Sequence, residues 1–93
     1  MMKFELLKVH QDALVDKITA KHLESVIDVI KKALPCHVND DSVEFMLTNS
    51  DTEALMKEIS IIASKLENAF MAGKLWKAYD YIFECLANSK EYQ

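Results

Sequence analysis

Leu66-Glu67-Asn68-Ala69-Phe70-Met71-Ala72-Gly73-Lys74-Leu75-Trp76 carries the only glycine of this 93-residue chain, set between two apolar stripes. Before it run Leu55, Ile59, Ile62, Leu66, Ala69 and Phe70; after it run Leu75, Trp76, Tyr79, Ile82, Phe83 and Leu86. Both stripes step by three and four, which predicts two amphipathic helices joined by a tight turn. Gly73 is then the left-handed C-cap between them. The expected result is an antiparallel helical hairpin over 51–72 and 74–88, with Ser50 and Glu53 forming a capping box at its start.

Working outward toward the N-terminus, residues 3–18 place Phe4, Leu7, Leu14, Val15 and Ile18 on one helical face, and Leu6, Val9 and Ala13 roughly opposite. The spacing predicts a helix. A short strand is the alternative, because Phe4 and Leu6 alternate with charges, but Leu7 breaks that alternation. Thr19 is a candidate N-cap for a second helix carrying Leu23, Ile27, Ile30 and Leu34 on one face. Pro35 ends it, since proline disfavours helical geometry in the preceding residue. Asp28 and Lys32 form an i,i+4 pair on its wet side.

Residues 36–48 read two ways. Cys36-His37-Val38 and Val43–Thr48 could be the arms of a short β-hairpin, with Asn39-Asp40-Asp41-Ser42 as its turn and Val43, Phe45 and Leu47 facing the core. Asp41 and Glu44 have capping-box spacing, so a short helix fits as well. The tail Ser89–Gln93 is expected to fray. The expected fold is therefore mainly α: a single domain over 1–93, small and four-helix bundle-like, with a short β-hairpin at 36–48 as the open alternative.

Composition narrows function. Fifteen acids stand against eleven lysines, with no arginine and a net charge of −4. That repels nucleic-acid backbones and removes the bidentate guanidinium grip on phosphate, so no nucleic-acid partner is expected. No apolar run approaches the length of a membrane span, and Glu5 interrupts what would be a signal sequence, so no membrane association and a cytoplasmic location are expected. Cys36 and Cys85, 49 residues apart, suit free thiols in a reducing compartment.

The parts of an enzyme are missing. His10, His22, Cys36, His37 and Cys85 show neither i,i+4 nor CxxC spacing, so no metal site is expected among them. No calcium-loop register fits Asn39-Asp40-Asp41. There is no glycine-rich phosphate loop and no paired-carboxylate motif, so neither catalytic residues nor a cofactor are expected.

What remains is apolar surface beyond the needs of a four-helix core, with 51% of the chain hydrophobic. Ile61 projects from its helix among lysines; Tyr81, Ala78 and Cys85 form a second stripe near the C-terminus; Leu6 and Val9 add a third. These are the candidate interface residues, with Tyr81 foremost because tyrosine buries area at low entropic cost. The function expected is protein binding, as a homodimeric adaptor, an inhibitor, a chaperone or an immunity-type protein, whose acidic surface would steer it toward a basic partner. The alternative is a small-ligand or nucleotide pocket lined by Trp76, Tyr79, Phe70 and Phe83, with His37 or a lysine as its polar anchor.

Overall fold

The computed structural model describes residues 1–89; residues 90–93, most of the tail expected to fray, lie outside the described residues. In chain order it consists of strand β1 (Met2–Leu7), helix α1 (Lys8–Lys17), a 3₁₀ turn (Lys21–Leu23), helix α2 (Glu24–Lys31), strand β2 (Leu34–Pro35), strand β3 (Ser42–Leu47), helix α3 (Asn49–Lys65) and helix α4 (Ala69–Ala87). The mainly α expectation is overturned. This is an α+β fold in which α1, α2 and α4 pack on a three-stranded antiparallel sheet of order β1-β3-β2 and α3 packs on α4.

The first correction lies at the N-terminus. Met2, Phe4 and Leu6 are buried and alternate with exposed Lys3 and Glu5, the period-two pattern of a half-covered strand. Leu7 does not break that pattern but ends it, because its backbone is extended and it caps α1. In register, Met2, Phe4 and Leu6 face Leu47, Phe45 and Val43 across the β1–β3 pair. All six lie on the sheet's inner face, where the Phe4 and Phe45 rings stack with centroids 5.7 Å apart.

The strand reading of Val43, Phe45 and Leu47 is therefore the one the chain adopts. Its partner is displaced, however: the hairpin arm is Leu34–Pro35, paired with Glu44 and Val43, and Cys36-His37-Val38 lies outside the strands. Proline lacks a ladder donor and is tolerated at an edge, where β2 sits. Helix α2 consequently stops at Lys31, short of the proline. The turn before β3 is built as expected, with Asn39 Oδ1 accepting from the Asp41 amide at 3.0 Å, and the Asp28–Lys32 pair forms at 3.1 Å.

Two helix starts also shift. Thr19 does not cap α2, which follows the 3₁₀ turn instead. Helix α3 begins before the expected Ser50 cap, with Thr48 Oγ1 accepting the Asp51 amide at 3.1 Å.

The Gly73 turn is the second large correction. The chain breaks at 66–68: Leu66 is extended, and Asn68 Oδ1 accepts from the amides of Phe70 and Met71 at 3.0 and 3.1 Å. An asparagine N-cap satisfies amides that a helix leaves orphaned. Gly73 falls in the second turn of a continuous α4, with no positive φ and open space where a Cβ would stand. We therefore expect Gly73→Ala to stabilise the protein by about 0.5–1 kcal/mol, since alanine loses less conformational freedom in a helix. A left-handed cap demands the opposite sign, so the shift of the denaturant midpoint separates the two geometries.

One core unites these elements. Helix α4 packs on α1, α3 and β1, while α2 covers β3 and α1. Leu14, Ile30, Leu55, Ile59, Leu75, Ala78 and Ile82 are fully buried among them. No helix among the described residues is long and apolar enough to cross a membrane.

Candidate functional site

Helix α4 has to meet three neighbours, and the face it turns to them is Leu75, Ala78, Ile82 and Leu86. Ala78 is 0% exposed; its small side chain lets the helix sit close to the layer beneath. Two stripes on α4 satisfy helical spacing equally well, and the aromatic one is not the buried one. Trp76 and Phe83 remain 39% and 53% exposed.

This rotation rearranges the expected interface residues. Leu6 and Ala78 are sealed in the core, and Cys85 is half-buried against it. Val9, Ile61 and Tyr81 are exposed, but on different elements, and they do not share a groove. Tyr81 lies over His10, with ring centroids 5.4 Å apart. His10 is buried, its Nδ1 has no hydrogen-bond partner among the described residues, and burial together with the Lys74 and Lys77 ammonium groups holds its pKa below the ordinary histidine value. Tyr81 thus covers the buried His10 ring.

The exposed aromatics are better organised. Trp76, Tyr79 and Phe83 stand at i, i+3 and i+7 along the flank of α4 that faces α3. The Trp76 and Tyr79 rings meet edge to face at 5.6 Å. Beside them Tyr79, Phe83, Leu86 and Ala87 join Glu53, Met56 and Lys57 of α3 around a groove of about 390 Å³. Met56 is buried at its floor. The charged lining of the groove is Glu53 and Lys57, and exposed Asp80 and Glu84 stand on α4 outside that lining.

Of the residues expected to line a ligand pocket, Tyr79 and Phe83 line the groove, while Trp76 stands beside it. Phe70 is 72% exposed with the Lys74 ammonium over its ring at 4.6 Å, and His37 does not reach the groove. Met56 is the participant that nothing local in the chain singles out. It sits among apolar residues at core spacing, and only the angle between α3 and α4 places it beneath Tyr79 and Phe83.

A second groove, about 580 Å³, lies where the end of α2 meets the sheet edge, lined by Val29, Leu34, Phe45 and Met46. Lys3, Glu44, Asp28 and Lys32 also line it and pair with one another at its walls. It holds no tryptophan or tyrosine, the residues that most often anchor protein contacts. Compared with known proteins, the chain matches no protein-family model, no curated protein and no solved structure.

Proposed function

We propose that this chain acts by binding another protein, and that the docking surface is the aromatic flank of α4 together with its groove toward α3. The observation that carries this reading is the exposure of Trp76 and Phe83 beside an apolar groove that Tyr79, Phe83 and the buried Met56 line together. Aromatic residues over a preformed groove are the usual anchors of a protein contact. A pocket for a small molecule would enclose its aromatics, whereas Trp76 and Phe83 stay exposed at the side of an open groove.

The partner that fits is an amphipathic helix with a basic flank. Its apolar side chains would enter between Met56, Tyr79 and Phe83 as anchors at i, i+3, i+4 and i+7. Its lysines would meet Asp80 and Glu84 on the exposed side of α4, and an acid on its other edge would meet Lys57, which sets the register. A second copy of this chain would bring the same acids together and is the poorer fit. An adaptor or an inhibitor would both work in this way, with no catalytic group required.

Trp76 is the only tryptophan, so its emission reports directly on this surface. Titration with a synthetic helix bearing leucines at the four anchor positions and lysines beside them should shift the emission to the blue and saturate. Phe83→Glu should weaken that binding at least tenfold, about 1.4 kcal/mol or more, as should scrambling the leucines off one face. An unmoved emission, or equal affinity in the variant, overturns the reading. So does a dimer by light scattering that Phe83→Glu dissolves, which would give the surface to self-association.

A further inference from the structure

The outer face of the sheet carries a group of side chains unrelated to the α4 groove. Glu5 and Glu44 stand directly opposite each other across the β1–β3 pair. Like charges in that position oppose strand pairing. Cys36 follows the edge strand, its amide donating to the Ser42 carbonyl at 3.0 Å, which continues the β2–β3 ladder and brings the thiol to the same face. One ligand atom each from Glu5, Cys36 and Glu44 lies within 4.8 Å of the other two.

Cys36 is buried, Glu44 half-buried and Glu5 exposed. The Cys36 thiol beside it and the Lys3 ammonium 3.4 Å away hold the Glu44 carboxyl below its ordinary pKa. Glu5 forms no ion pair among the described residues. A thiol just past β2 and two carboxylates from β1 and β3 therefore converge, with the Lys3 ammonium paired to one of them.

We propose that Glu5, Cys36 and Glu44 form a binding site for a divalent transition-metal ion of the zinc class. The sulfur selects against magnesium and calcium, which take oxygen ligands. Tetrahedral bonds of about 2.0–2.3 Å place neighbouring ligand atoms about 3.5 Å apart. The three donors need to close by only about 1 Å, a movement that two glutamate side chains on an open face can make by changing rotamer. Binding removes the thiol proton to solvent, leaves three negative ligands around a 2+ ion and turns the opposed Glu5–Glu44 pair into a favourable contact. The fourth position faces water.

The histidine and cysteine spacings, which argue against a metal site, do not bear on this group. Two of its ligands are carboxylates that only strand register brings together.

The test uses the full-length, reduced chain stripped of metal and titrated with Co²⁺, then Zn²⁺. One equivalent of Co²⁺ should raise a thiolate-to-cobalt charge-transfer band that Zn²⁺ bleaches. Cys36→Ser should abolish the band and Cys85→Ser should leave it. Glu5→Gln and Glu44→Gln, both on the outer face, should each weaken Zn²⁺ binding at least tenfold with unchanged circular dichroism. The proposal is overturned by absence of the band in the native chain, by its survival in Cys36→Ser, or by unchanged Zn²⁺ affinity in both glutamine variants, which would mark a thiol binding alone.

Discussion

Phe4→Ala should lower the unfolding free energy by about 3–5 kcal/mol, the usual cost of deleting a buried phenylalanine ring. The side chain is 1% exposed and stacked on Phe45 in the middle of the β1–β3 pair, so its loss leaves a cavity that neither strand can close without giving up its ladder. A domain of this size has on the order of 5–10 kcal/mol in total, so the variant should be markedly less stable and bind hydrophobic dyes on mild warming. Lys3→Ala, one residue away on the outer face, should change stability by no more than about 0.5 kcal/mol. Urea titration of the pair measures the difference. Similar costs at the two positions would mean that residues 2–7 do not alternate between core and solvent, and the sheet would be wrong.

A contrast on α4 has a comparable expected effect. Ala78→Lys places an ammonium where α4 meets its neighbours at 0% exposure. Burying an unpaired charge and overfilling the site should together cost about 3 kcal/mol or more. Phe83→Lys, five residues along the same helix, exchanges one exposed side chain for another and should stay within about 0.5 kcal/mol. Thermal unfolding of the two variants reads the rotation of the helix directly. If Phe83→Lys is the costly one, the aromatic stripe is core and the proposed docking surface does not exist.

That rotation shows where the sequence falls silent. Leu75, Ala78, Ile82 and Leu86 have helical spacing, and so do Trp76, Tyr79, Ile82 and Phe83. Periodicity identifies the helix but cannot choose between arcs that overlap at Ile82, because burial depends on which neighbours arrive and how closely. Area alone favours the aromatics, whereas close packing favours the alanine. The α3 and α4 stripes were legible as helices, and so were the Asp28–Lys32 pair and the inward set Val43, Phe45 and Leu47.

The turn between α3 and α4 was missed for a different reason. Gly73 drew the break to itself, although a lone glycine is tolerated inside a helix at about 1 kcal/mol. Asn68, whose side chain accepts two amides, carried the stop-and-start signal five residues earlier. At the N-terminus, alternation over Met2–Leu6 was present but short, and it ran straight into a helix at Lys8 with no loop between. Two periods fused without punctuation read as one irregular helix. The Glu5–Cys36–Glu44 cluster lay further out of reach, because nothing local relates residues whose meeting depends on which strand pairs with which, and in what register.

The pairing of Met2–Leu7 with Ser42–Leu47 also bears on how the chain is made. At about 5–20 residues per second, β1 leaves the ribosome roughly 2–8 seconds before β3 exists to receive it. Through that interval Met2, Phe4 and Leu6 form a strand-prone apolar segment without a partner, open to pairing with the same segment of a neighbouring nascent chain. Lys3 and Glu5 interrupt it at alternate positions, and charges placed there hinder edge-to-edge association. The two charged residues that decorate the finished sheet are, during synthesis, what keeps its first strand waiting for the right one.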